Sequence, residues 1–254
     1  MRAPARLRSP FLATLALSAL VVTSCNQSDA IRSQAIADSR AVMFRSIDGV
    51  SLSGRLFGPD AATAGVVLAH MLPADQTSWF EFADRLGGLG YRVLTFDFRG
   101  YCPGGDAGCS KGTKDIRSIW QDEAGAVGFL QTLGVRGVAL VGASMGGTAS
   151  LVVAANETQT VQAVVTLSAP ESIGGLSAGP DVIQAATAAK LFIAGNGDGV
   201  AAQTAQAFYD ESQPPKRVEI LTTADHGTDI LEGGQAEVAT NLIAGWLDRY
   251  LPVP

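Results

Sequence analysis

Two histidines and one serine set between glycines are the residues whose types point to covalent chemistry in this 254-residue chain. The serine is Ser144, in Gly142-Ala143-Ser144-Met145-Gly146. A serine hydroxyl is a weak nucleophile at neutral pH and attacks a carbonyl carbon only with a base beside it. His70, ending the apolar run VVLAH, and His226, in TADHGTD, are the two candidate bases. A histidine base is held in the right tautomer by a carboxylate on its second ring nitrogen. Asp198, in LFIAGNGDGV, follows an apolar run and sits in a glycine-rich turn that lets its carboxylate curl back toward an imidazole. Asp225 adjoins His226 and is the alternative, although neighbours in one loop seldom place a carboxylate on the ring's own Nδ1–H. The GNGDG stretch lacks the repeated acidic ligands and distal glutamate of a calcium loop. Neither histidine lies near the paired cysteines, so no metal is expected, and no cofactor.

A Gly-x-Ser-x-Gly match arises readily by chance in a chain with 29 glycines, so its setting has to carry the argument. Residues 137–142 form an apolar run of strand character, and residues 144–156 an almost wholly apolar helical stretch. Ser144 therefore falls on a sharp strand-to-helix turn, where small neighbours let the backbone pass closely and the hydroxyl projects from the sheet edge. At a helix N-terminus, free N–H groups also favour a developing negative charge. The strands that frame this turn are predicted at 41–46, 50–57, 66–70, 92–97, 137–142, 161–168, 190–195 and 217–222. The first helix between them is carried by Trp79, Phe82, Leu86 and Leu89, with Ser78 and Glu81 as its capping box. Others are predicted at 115–133, 144–156, 200–211 and 235–251, the last with Val238, Leu242 and Trp246 on one stripe. This alternation implies an α/β fold, a mostly parallel eight-stranded sheet flanked by helices, in one domain over 41–254. The connection between strands 161–168 and 190–195, about twenty residues, has room for a short helix only, so no separate cap domain is expected.

The N-terminus points to export. Arg2, Arg6 and Arg8 precede an apolar stretch from Phe11 to Val22 that is too short to span a membrane and remain there, and Val22-Thr23-Ser24-Cys25 follows. This resembles a bacterial lipoprotein signal over residues 1–24, with lipidation at Cys25 and a polar tether over 25–40. An ordinary secretory leader cut near Ser24 is the alternative. Either reading sends the chain to the cell envelope, and the lipid would hold it on a membrane, at its periplasmic or extracellular face. Without the leader, 15 basic residues remain against 24 acidic ones, a net charge of −9. That sign argues against nucleic acid as a partner and leaves membrane contact to the lipid. In an oxidising compartment Cys102 and Cys109, seven positions apart in CPGGDAGC, are expected to pair as a disulfide rather than stay as free thiols.

Residues 44–251 resemble an α/β-hydrolase. The likeness rests on GASMGG, on LAHMLPADQTSW as the family's oxyanion-loop segment, on DFRGY at a strand end, and on IAGNGD and ADHG as acid and histidine loops. The family's order of nucleophile, acid and histidine implies that Ser144 attacks, Asp198 orients and His226 is the base. It makes His70 a structural residue of the oxyanion loop. The resemblance further implies an oxyanion hole built from the backbone N–H groups of Met145 and Leu72. Met71 stands where the family usually has glycine, which leaves either Met71 or Leu72 as the second donor. The layout is similar to dienelactone-hydrolase-like proteins and small esterases, although serine replaces the cysteine that dienelactone hydrolases themselves use. The implied activity is carboxylester hydrolysis through an acyl-enzyme, on a small-molecule ester or acyl substrate; thioesterase, lipase and peptidase are variants of that chemistry. The reading from another class is a non-catalytic binding lipoprotein on a hydrolase fold, for which Met71 and the unusual oxyanion loop are the ground.

Overall fold

The computed structural model describes residues 30–157 and 159–253; residues 1–24, expected to be a leader, and Cys25 lie outside them. The chain begins with α1 (30–37), β1 (Arg40–Arg45), β2 (Ser51–Phe57), β3 (Ala64–Ala69), α2 (Phe80–Gly88), β4 (Arg92–Phe96), α3 (Ile119–Thr132), β5 (Gly137–Ala143) and α4 (Met145–Asn156). It continues with β6 (Val161–Leu167), β7 (Ser172–Ile173), β8 (Leu176–Ser177), α5 (Pro180–Ala185), β9 (Ala189–Gly195), α6 (Ala201–Glu211), β10 (Lys216–Leu221) and α7 (Ala236–Tyr250). Eight strands form one sheet in the order β1-β2-β4-β3-β5-β6-β9-β10. Strand β2 runs antiparallel to both β1 and β4, and all other pairs are parallel. The expected fold class is therefore found.

Strand periodicity explains the layers. In β5, Val138 and Leu140 join the core shared with α3, α4 and α6, whereas Ala139, Val141 and Ala143 join the core shared with α2 and α7. Every residue of β3 and β5 is buried, as a central parallel strand covered on both faces requires. After β3 the chain turns toward one edge to lay down β4, then returns to place β5 on the other side of β3. Loops leaving the carboxyl ends of β3 and β5 therefore diverge, and a crevice opens between them.

Several local expectations are corrected. Ser78 and Glu81 do not cap α2: Asp75 instead starts a single 3₁₀ turn over Gln76–Trp79 by accepting the Thr77 N–H at 2.8 Å, and Ser78 Oγ donates to the Asp75 carbonyl at 2.8 Å. The tertiary contact that favours this earlier start is the Gln76 N–H on Asp97 Oδ1 at 2.9 Å. Leu89 and Val238, placed on buried stripes by periodicity, are exposed, and α7 buries Ala239, Ile243, Trp246 and Leu247. The β6–β9 connection holds the small β7–β8 ribbon as well as a short helix, because Gly174 and Gly175 adopt positive φ and form a two-residue hairpin turn. The polar stretch read as a tether contains α1, with Ala35 fully buried and the Arg55 guanidinium donating to the Ile36 carbonyl at 3.0 Å.

Candidate active site

Ser144 sits between β5 and α4 with φ 48° and ψ −117°, a left-handed conformation that costs a residue with a side chain about 1–3 kcal/mol. The surroundings over-determine it. Its N–H donates to the Leu167 carbonyl of β6 at 2.8 Å, and its carbonyl accepts the Thr148 N–H at 3.1 Å. A side chain on Gly142 would overlap the backbone of Gly146, and one on Gly146 would overlap the carbonyls of Ala69 and His70. Both glycines are therefore required by close backbone approach, which also brings the start of α4 against the end of β3. No side chain caps α4, so the Met145 N–H donates to no protein acceptor among the described residues.

The second part of the site comes from the far strands. After β9, the Asn196 N–H donates to the Leu221 carbonyl and the Gly197 N–H to the Thr223 carbonyl, both at 2.9 Å. These bonds register the Asp198 turn against the end of β10, the strand that leads to His226. The Asp198 carboxylate meets His226 Nδ1 at 2.9 and 3.0 Å through its two oxygens. In this arrangement Nδ1–H donates to the carboxylate and Nε2 is left as the basic nitrogen. Asp225 is engaged elsewhere: its carboxylate accepts from Thr223 Oγ1 at 2.6 Å. Ser144, Asp198 and His226 line one cleft of about 240 Å³, with Ser168, Ala169, Pro170, Val200 and Thr204. Among the described residues Ser144 Oγ forms no hydrogen bond to His226, although both line this cleft; proton transfer requires the two within hydrogen-bond distance.

His70 occupies a different position. It is fully buried, and desolvation lowers its pKa to about 4, so the ring is neutral. The Phe98 N–H donates to Nε2 at 3.2 Å, which leaves the proton on Nδ1, donated to the Met71 carbonyl at 2.8 Å. Because the Met71–Leu72 peptide is trans, pinning its carbonyl on His70 turns the Leu72 N–H the opposite way. Neither the Met71 N–H nor the Leu72 N–H donates to a protein acceptor among the described residues. The Met71 side chain is buried and packs against Gly227, the residue after His226, where φ is 58° and a side chain would overlap Met71 Sδ. The larger residue at the usual glycine position is therefore accommodated by a glycine in the histidine loop.

Cys102 and Cys109 are joined as a disulfide. Within that ring the Ala107 carbonyl accepts from Ser53 Oγ at 2.9 Å and from Gln76 Nε2 at 2.5 Å. Among the described residues no three His, Cys, Asp or Glu side chains converge as a metal site. Ser168 was not singled out in the sequence, because no motif marks LSAPES; its one signal is its place at the end of a predicted strand beside the Ser144 strand.

The comparisons agree with this geometry. The family described as the α/β hydrolase fold matches residues 66–217, more than half of the chain. An esterase from Pyrococcus furiosus superposes with a TM-score of 0.71 at 18% identity, over 86% of this chain and 93% of its own. The dienelactone hydrolase of Anabaena variabilis is 25% identical, with a TM-score of 0.68 over 84% of this chain and 98% of its own. The esterase domain of a Rhodothermus marinus protein is 23% identical, with a TM-score of 0.65 over 84% and 99%. A search of curated proteins returns no significant match. The eight-stranded sheet, the strained serine turn after β5 and the matched segment together make the chain a member of the α/β-hydrolase family.

Proposed function

We propose that this protein is a serine esterase that cleaves small carboxylic esters through an acyl-enzyme. The observation that carries the reading is the Asp198–His226 pair, sharing one cleft with a serine held in a strained turn. Ser144 Oγ attacks the carbonyl carbon while His226 Nε2 takes the hydroxyl proton, and Asp198 stabilises the imidazolium. The carbonyl oxygen, now anionic, receives the N–H groups of Met145 and Leu72; Leu72 is preferred to Met71 because His70 fixes the plane of its peptide. The imidazolium returns the proton to the alcohol oxygen as the C–O bond breaks. A water deprotonated by the same histidine then attacks the acyl-enzyme, releases the acid and restores Ser144.

Residues 1–25 support a second part of the proposal, that the chain is exported and held on a membrane by lipid at Cys25. Labelling with a fatty acid should depend on Cys25, and Cys25→Ala should move the protein to the soluble fraction. The binding-protein alternative draws on Met71 and the unusual oxyanion loop; the packing of Met71 against Gly227, which accommodates the larger residue, supports the enzyme reading. A fluorophosphonate probe and a panel of esters, thioesters and amides test the enzyme directly. Ser144→Ala is expected to abolish labelling and to cost on the order of a million-fold in turnover. Retention of most ester hydrolysis by that variant would refute the assignment, and a folded wild type that resists labelling would favour the binding reading.

A further inference from the structure

Ser168 carries two costs at one residue. It directly follows β6 with φ 54°, a conformation that favours glycine, and its hydroxyl is buried without a hydrogen-bond partner among the described residues. Its backbone is fixed, because its N–H donates to the Ile193 carbonyl of β9 at 2.9 Å. The residue lines the same cleft as Ser144, Asp198 and His226. Of the other polar side chains of that cleft, Asp198 holds His226 and Thr204 Oγ1 donates to the Val200 carbonyl at 3.2 Å, while Ser144 Oγ and His226 Nε2 are the groups assigned to the reaction itself. Ala169, Pro170, Val200 and Ala201 make the rest of the wall apolar. A buried hydroxyl left unpaired in such a wall is stabilised only when a group seated against it supplies the missing hydrogen bond.

Position decides which part of a substrate that group belongs to. The Leu72 amide follows β3, on one side of the Ser144 strand, whereas Ser168 follows β6 on the other. The leaving alcohol has to meet His226, whose side chain is 41% exposed at the cleft mouth, so the alcohol faces solvent. The acyl group therefore turns inward, toward Ser168, which is 2% exposed. We infer that the Ser168 hydroxyl holds a polar atom of the acyl group, and that the enzyme selects short acyl chains carrying a hydroxyl or keto oxygen. This rests on the acyl-enzyme reading above. The cleft, at about 240 Å³, suits a short chain.

The test compares ethyl 3-hydroxybutyrate, each enantiomer, with ethyl butyrate. Wild type should favour one hydroxy ester by about tenfold in kcat/KM, a hydrogen bond's worth of discrimination. Ser168→Gly removes the hydroxyl at a backbone angle glycine adopts freely, and should erase the preference by losing rate on the hydroxy ester alone; Ser168→Ala should do the same. A wild type without preference, or an equal fall on both esters, overturns the proposal. A shifted pH profile with the preference intact also overturns it, by assigning the hydroxyl to Asp198 instead. Fluorophosphonate labelling at Ser144 keeps the two readings apart: labelling without ester preference sinks only the role of Ser168, whereas labelling that does not depend on Ser144 sinks the acyl-enzyme.

Discussion

Met71, in the loop after β3, and Gly227, in the loop that carries His226, occupy one space, and the methionine fits because the glycine has no side chain. A Cβ on Gly227 would run into Met71 Sδ and lie 3.3 Å from Ala143 Cβ, at a φ of 58° that side chains rarely adopt. Gly227→Ala should therefore destabilise the fold by about 1–3 kcal/mol and depress turnover through the adjoining His226. Adding Met71→Ala should recover part of both losses, and a double-mutant cycle that came out additive would show that the contact does not couple the loops. The acids separate as cleanly. Asp198→Asn should cost on the order of ten-thousand-fold in kcat by disturbing the imidazole tautomer, while Asp225→Asn, whose carboxylate is bound to Thr223, should stay within a few-fold. The glycine-rich turn after an apolar run pointed to Asp198 over Asp225, which adjoins His226 in one loop, but nothing in the sequence could show that Thr223 holds the second carboxylate. Ser168 was illegible for a similar reason: a positive φ and an unpaired hydroxyl are properties of the folded chain.

Helix α4 presents Ser144 at its N-terminus and is buried on nearly every side, so the groups packed beneath it act on the Ser144 turn. Glu123 of α3 is fully buried there and bonded to Ser150 Oγ at 2.6 Å, and Ser150 Oγ also lies 2.9 Å from the Gly146 carbonyl. Desolvation raises the Glu123 pKa from 4.5 to about 8, so at neutral pH the acid is protonated, donates to Ser150, and Ser150 donates to Gly146. The unfolded chain loses that proton near pH 4.5 and the folded chain only near 8. Stability therefore falls as pH rises through that window, at roughly 1.4 kcal/mol per pH unit for one proton. Glu123→Gln should be more stable than wild type by a margin that grows from pH 5 to pH 8, measured by urea unfolding. A margin independent of pH would mean that Glu123 is already ionised in the fold. The strands and long helices were legible because period-2 and period-3.6 apolar patterns survive in the sequence. The start of α2 was not, since the Gln76–Asp97 contact joins residues 21 positions apart.

At the scale of the molecule, the alternation of strands and helices made a parallel sheet readable, whereas strand order and the antiparallel β2 follow from long-range pairing that local pattern does not encode. That order sets the crevice at the ends of β3 and β5, and the segment after β4 forms part of its support. Cys102 and Cys109 close a small ring in this segment, tied to the body through the Ala107 carbonyl by Ser53 and Gln76. Gln76 Nε2 also donates to Asp97 Oδ2 at 2.8 Å, so the ring, the 3₁₀ turn and the end of β4 share one buried network. Closing a ring this short removes only modest freedom from the unfolded chain, worth about 2–3 kcal/mol. For a domain of this size that corresponds to roughly 5–10 °C in Tm. Cys102→Ser with Cys109→Ser should lower Tm by that amount and leave ester hydrolysis at 25 °C near wild type, because neither cysteine lines the Ser144 cleft. A thiol reductant should lower the Tm of the wild type and leave the double variant unmoved. An unchanged Tm in the variant would mean that the network around Ala107 holds the segment without the bond, and a collapse of activity at 25 °C would mean that the ring positions the catalytic groups themselves.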